Sequence, residues 1–136
     1  MIRPYLNFKK GDCEPAFTLY ERAFDGNIQF LERYGDKATD PADKDLVMHA
    51  EMNLTEVGGI AGGDATWPYE AGMPVNILVR LESAEKAKKS WAVLACEGTV
   101  IMPLQKTDYA ILQGTIKDKY GFCWIFNVVE NYPWGE

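Results

Sequence analysis

Residues 11–26, GDCEPAFTLYERAFDG, and residues 82–98, ESAEKAKKSWAVLACEG, decide the fold once they are laid side by side. In the first stretch Asp12 is placed to cap a helix, Glu14 and Pro15 suit its opening turn, and Gly26 is placed for the left-handed C′ position. Ala16, Phe17, Tyr20, Ala23 and Phe24 recur at helical spacing and form one apolar stripe. The second stretch repeats the plan. Ser83 caps, Ala84, Ala87, Trp91, Leu94 and Ala95 make the stripe, and Gly98 stops it. The two caps lie 71 residues apart and the two glycines 72 apart in a chain of 136. Matched stop and start signals over half a chain length imply two copies of one module, with helices predicted at 13–25 and 84–96.

The flanks extend the repeat. PYLNF precedes the first helix and VNILVRL the second, both as strands. NIQFLERY, LVMHAEMNLT and GIAGGDAT follow the first helix; TVIMPL, DYAILQGTIK and GFCWIFNVVE follow the second. EVGG signals a tight hairpin and KDKYG a longer one. Each half then reads βαβββ, an α+β arrangement, with one module over 1–66, a linker over 67–73 and a second module over 74–136. GDKATDPADKD is a polar loop inside the first module.

Composition bounds the function classes. With 47% hydrophobic and 25% charged residues, the chain has a globular make-up and enough length for a proper core. No apolar run approaches the roughly 20 residues of a membrane helix. The start MIRPYLNFKKGD lacks the apolar segment of a signal peptide, so a cytoplasmic protein is expected. A net charge of −6 argues against nucleic acid or an anionic membrane as partner. Cys13, Cys96 and Cys123 are widely separated and without CxxC spacing, so reduced, buried thiols are expected rather than disulfides or a zinc knuckle, an expectation that includes Cys96.

Strand alternation sorts the remaining side chains by face. In residues 46–54, Leu46, Met48, Ala50, Met52 and Leu54 are expected beneath the helix, and Val47, His49, Glu51 and Asn53 on the opposite face. The same reasoning collects Tyr5, Asn7, Asn76, Arg80, Tyr109, Gln113 and Asn127 on the faces away from the helices, together with Leu78, Ile111 and Ile125. A solvated antiparallel face would look similar, but mixed apolar and polar lining is also what a small-molecule cleft presents.

Paired βαβββ modules carrying YLNFKKGDCEPAFTLYERAFDG, VMHAEMNL, GGDA and GTVIMPLQKT…DKYGFCWIF resemble the vicinal oxygen chelate superfamily, and within it the PhnB-like branch grouped with glyoxalase and bleomycin-resistance proteins. The resemblance covers nearly the whole chain. It implies two sheets curled around a central cleft and a homodimer, for which the tail VVENYPWGE offers Tyr132 and Trp134 as anchors. One departure stands out. Where the branch commonly has a Trp-Gly pair after the MPL segment, this chain has Tyr109 and Ala110.

The superfamily's metal enzymes hold a divalent ion with four His or Glu side chains, one near each module's first strand and one near its last. The resemblance transfers those positions to Tyr5, about Ala61, Asn76 and Ile125, which is no ligand set for such a metal. No metal or other cofactor is therefore implied. The branch also carries a name invoking a ubiquinone methyltransferase, yet the chain has no glycine-rich nucleotide loop after a first strand to hold a methyl donor's adenosine.

Two functions from different classes follow. In the first, the protein binds a small molecule without chemistry, using Tyr5, Asn7, Asn53, Asp64, Asn76, Arg80, Tyr109 and Gln113. In the second, a metal-independent lyase or isomerase uses His49 and Glu51 as an acid–base pair. Each residue has a plainer alternative. His49, the only histidine, sits about 7 Å along the strand from Glu51 and suits a hydrogen-bonded polar face equally. Asp64 in GGDAT suits a turn aspartate satisfying local amides, and Arg80 suits an ion pair with a neighbouring acid.

Overall fold

In the computed structural model, which describes residues 2–68, 75–108 and 110–130, the two helices span Cys13–Phe24 (α1) and Ala84–Ala95 (α2). Twelve-residue helices are marginal alone and are held by the face they bury. For α1 that face is Cys13, Ala16, Phe17, Leu19, Tyr20, Ala23 and Phe24. For α2 the buried face is narrower, with Ala87, Ser90 and Leu94, while Trp91 is half-buried and meets Phe126 edge-on at 5.2 Å.

Two of the expected cap signals act differently. Ser83 caps α2 as read, its hydroxyl accepting the Lys86 amide at 3.1 Å. Asp12 makes no side-chain cap. Asp64 does that work from a strand end, accepting the Gly11 and Cys13 amides at 3.1 and 3.0 Å. The left-handed residues closing the helices are Asp25 (φ 53°) and Glu97 (φ 69°), one position before the glycines. Gly26 is needed for close approach instead, because a Cβ there would overlap the Asn53 carbonyl oxygen.

The chain divides into two compact units, Met1–Ala71 and Gly72–Glu136. In the first, strands β1 (Tyr5–Phe8), β2 (Asn27–Arg33), β3 (Val47–Asn53) and β4 (Gly59–Asp64) form a sheet of order β1-β4-β3-β2. Two 3₁₀ turns, Gly35–Lys37 and Pro41–Asp43, lie between β2 and β3. In the second, β5 (Ile77–Arg80), β6 (Thr99–Gln105), β7 (Leu112–Lys117) and β8 (Cys123–Val128) form a sheet of order β5-β8-β7-β6. Each sheet has one parallel pair, β1 with β4 and β5 with β8, and antiparallel neighbours otherwise. The fold is α+β, two repeats of βαβββ. Most of the expected linker and the aromatic tail, including Tyr132 and Trp134, fall outside the described residues.

Phe8, Phe17, Tyr20, Phe24, Met52 and Ile60 fill the first core, and Trp124, Phe126, Leu94 and Ile116 the second. Burial of each large apolar side chain contributes about 1.5–3 kcal/mol. Two bulges alter the expected faces. On β3 the pairing runs Glu32 to His49 and Arg33 to Val47, leaving Met48 as the extra residue. Val47 therefore turns into the core, 1% exposed, and Met48 is only half-buried, the reverse of the strict alternation. On β2 Gln29 is skipped, so Ile28 pairs with Met52 on the core side and Phe30 with Glu51 on the other.

Candidate functional site

The face of the first sheet opposite its core carries a contiguous polar and aromatic cluster. One cross-strand row reads Phe30, Glu51, Ala61, Tyr5 from β2 to β1. His49 lies one pair further along β3. Its ring stacks on Tyr5 with centroids 5.7 Å apart and planes 21° from parallel, and Phe30 lies on another side at 5.9 Å. The His49 Nε2–H donates to Glu51 Oε2 at 3.1 Å. A carboxylate only accepts, so Nε2 carries the proton and Nδ1 is the basic nitrogen of the neutral ring.

Glu51 is itself held. Its Oε1 lies 3.6 Å from Arg3 Nη1. Arg3 is anchored in turn, donating to Asn53 Oδ1 at 2.7 Å and to the Met52 carbonyl at 3.2 Å. Tyr5 reaches His49 because β4 is bare beneath it. Its hydroxyl donates to the Met48 carbonyl at 3.4 Å, and a Cβ on Gly63 would sit 2.9 Å from that hydroxyl oxygen. Partial burial raises the Tyr5 phenol, with smaller contributions from Cys13 and Tyr34, so it stays a neutral donor at physiological pH. Tyr5 and Phe30 are each 46% exposed, so the cluster faces solvent in part.

Of the residues expected from sequence, Tyr5, His49, Glu51 and Asn53 meet in this cluster. Asn7 is half-buried on β1, opposite Gly63. Asp64 is 2% exposed, and its Oδ2 accepts the Val47 amide at 2.8 Å while Oδ1 takes Gly11 and Cys13. Those bonds make it a clamp between the end of β4, the start of α1 and the start of β3, with no face toward a ligand. In the second module Arg80 Nε donates to Asn127 Oδ1 at 3.4 Å, and Asn127 Nδ2 to Gln113 Oε1 at 3.1 Å. Asn76 is exposed just before β5. Tyr109 lies outside the described residues.

Two members of the cluster went unread in the sequence. Arg3 was legible, since Arg3, Tyr5 and Asn7 continue one alternation. Phe30 was not, because only the bulge at Gln29 turns it to this face.

The metal positions can be tested by register. Tyr5 pairs with Ala61, and the residue pairing with Ile125 is Leu78, not Asn76. The shift arises because five residues separate Asn7 from α1 and only three separate Arg80 from α2. The corrected set of Tyr, Ala, Leu and Ile does not fit a divalent metal. Among the described residues, no three His, Cys, Asp or Glu side chains are grouped to hold one.

Comparison with known proteins places this architecture. The structure of protein PA1353 from Pseudomonas aeruginosa is 31% identical, with a TM-score of 0.84, over 96% of this chain and 98% of that one. A putative 3-demethylubiquinone-9 3-methyltransferase, PhnB protein, from Bacillus cereus is 26% identical, with a TM-score of 0.81, over 94% of this chain and 98% of its own. A glyoxylase/bleomycin resistance protein/dioxygenase domain from Frankia sp. EAN1pec shares the fold at 14% identity and a TM-score of 0.69, over 96% of this chain and 92% of its own. The family model described as 3-demethylubiquinone-9 3-methyltransferase matches residues 1–126. The chain belongs to that family, the PhnB-like branch of the glyoxalase/bleomycin-resistance fold.

Proposed function

We propose that the protein binds a small molecule on the polar-aromatic face of its first sheet. The observation that supports this most directly is His49, stacked on Tyr5, flanked by Phe30 and fixed through Nε2 to Glu51. Part-exposed rings around a few oriented polar groups are the usual make-up of a ligand site. A thermal-shift screen against metabolites, metals and cationic antibiotics, followed by NMR of the single histidine ring, tests the reading. Hits that stabilise the protein and move the His49 signals support it. Hits that leave those signals unmoved place the ligand elsewhere.

A second reading has its own support. A base whose far nitrogen is oriented by a carboxylate, itself held by Arg3, is an arrangement for proton transfer at Nδ1. His49→Gln separates the readings, since it abolishes turnover in the second and only weakens binding in the first. Methyl transfer, named for the Bacillus cereus relative, draws no support from the four-stranded mixed sheets or from a nucleotide loop. A homodimer is supported by Val100, Ile101 and Met102 on edge strand β6, which are 46%, 50% and 43% exposed. Sedimentation at the mass of one chain at micromolar concentration overturns it. Three free thiols suit a reducing compartment such as the cytoplasm.

A further inference from the structure

We propose that the ligand of this face is flat and uncharged, a neutral conjugated or heteroaromatic small molecule. The proposal rests on the binding reading above and names its ligand class.

Charge is the first reason. Glu51 is shared between His49 at 3.1 Å and Arg3 at 3.6 Å, and Arg3 spends its remaining contacts on Asn53 and the Met52 carbonyl. Glu32, paired with His49 across the strands, is bound to Lys37 at 2.9 Å. Each of these carboxylates thus already has its cation. An ionic ligand would find no uncompensated partner there, so even the partial loss of its water on stacking against the rings goes unrepaid, and that selects against either sign.

Shape is the second reason. Tyr5 and Phe30 bracket the imidazole and remain nearly half exposed. Beside them β4 contributes only Ala61 and Gly63, so aromatic rings rather than a projecting β4 side chain meet the ligand. Stacked or edge-on contact with such rings favours a conjugated plane. Nδ1 of the neutral imidazole can accept one hydrogen bond and so orient it.

The test uses the full chain and three probes of one shape: 2-naphthamide, 2-naphthamidinium and 2-naphthoate. Binding is followed on the ring signals of His49, which need no assignment by mutation because the chain has one histidine. The pH is set where those signals show a neutral ring. The neutral amide is expected to move them with a Kd at least about tenfold below that of either ion, unchanged between low and high salt. Tyr5→Ala and Phe30→Ala should each weaken that response. An ion that moves His49 with equal or tighter affinity overturns the ligand class and leaves the binding face standing. Absence of any His49 response to all three probes overturns both. His49 signals that move on dilution without a probe assign the face to a second copy of the chain and overturn the proposal.

Discussion

The two modules share a scaffold down to its irregularities, yet they present different chemistry on it. Both second strands skip one residue at the same place, between Ile28 and Phe30 and between Val100 and Met102. The row Phe30, Glu51, Ala61, Tyr5 therefore has the counterpart Met102, Thr115, Ile125, Leu78. In the next row His49 corresponds to Gln113, and Gly63 to Asn127. That last difference is decisive. Gly63 leaves room for the Tyr5 ring to lie toward His49, whereas Asn127 fills the equivalent place and ties Arg80 to Gln113. One module has a part-exposed aromatic cluster, the other a satisfied amide chain.

The helix starts differ as well. A local serine begins α2, while a buried carboxylate from β4 begins α1, and the largest expected effect follows from it. Cys13 heads α1 beside Asp64, fully buried, and its thiol is pushed up to about 12 by burial first and then by the Asp64 and Glu14 charges. The ordinary value is 9.0, so at pH 8 its thiolate should be roughly a thousandfold scarcer than in the unfolded chain. Alkylation with mass mapping should label exposed Cys96 first and leave Cys13 untouched in the native state. The folded state holds the Cys13 proton more tightly. Its contribution to stability is thus full below pH 9 and is lost as pH rises toward 12, a slope that Cys13→Ala should remove. Rapid native labelling of Cys13 would contradict the buried helix start.

Next in size is the clamp itself. Asp64→Ala strands the buried Cys13 and Val47 amides and leaves the exposed Gly11 amide to water, and at about 1–3 kcal/mol for each buried group the loss should be about 2–6 kcal/mol in urea unfolding. Ser83→Ala in the other module removes one exposed-end cap and should cost about 1 kcal/mol. Equal losses would mean that the two helix starts are held alike, contrary to their hydrogen bonds.

Much of this was legible from spacing. The repeated helix signals give the modules, the hairpins and the strand order's local part, because those depend on short-range periodicity. Ala50, Met52 and Leu54 fell into the core as alternation required. What alternation could not reveal was a bulge, which changes the count on one strand without marking the sequence. Val47, Met48 and Phe30 were misplaced or missed for that one reason. Asp64 reads from the sequence as a ligand contact or a turn aspartate, because its three amide partners lie 51–53 and 17 residues away and meet it only in the folded sheet. Within the cluster, the common face of Tyr5, His49, Glu51 and Asn53 was recoverable from period two, and the tyrosine's passage over Gly63 was not.

That passage supplies a sharper test. A Cβ at Gly63 would stand 2.6 Å from the Met48 carbonyl oxygen and 2.9 Å from the Tyr5 hydroxyl. The first contact is with backbone and cannot simply rotate away. Gly63→Ala should cost about 1–3 kcal/mol of overpacking and displace Tyr5 from His49, read as loss of the ring-current shift on the imidazole. Gly114→Ala in the second module would crowd Trp91 at 2.9 Å and cost a similar amount of stability, yet leave the His49 signals where they are. A His49 shift that survives Gly63→Ala would show that the stack does not depend on the open strand.

The smallest expected effect is the most informative about function. His49→Gln gives the first module the residue that the second carries at Gln113, so the backbone has already shown that it accepts glutamine at this register. The amide can still donate to Glu51, and stability should change by no more than about 0.5 kcal/mol, as for a part-exposed position. Ligand affinity should fall by about 0.5–1.5 kcal/mol, the net worth of one hydrogen bond, if the imidazole only binds. Glutamine cannot take up a proton at neutral pH. If His49 and Glu51 transfer protons, the same variant keeps its ligand within that margin but loses turnover altogether. Calorimetry beside a single-turnover assay on the ligand found by the screen therefore distinguishes a site that holds a molecule from one that converts it, and an unchanged Kd with unchanged turnover would remove His49 from the site.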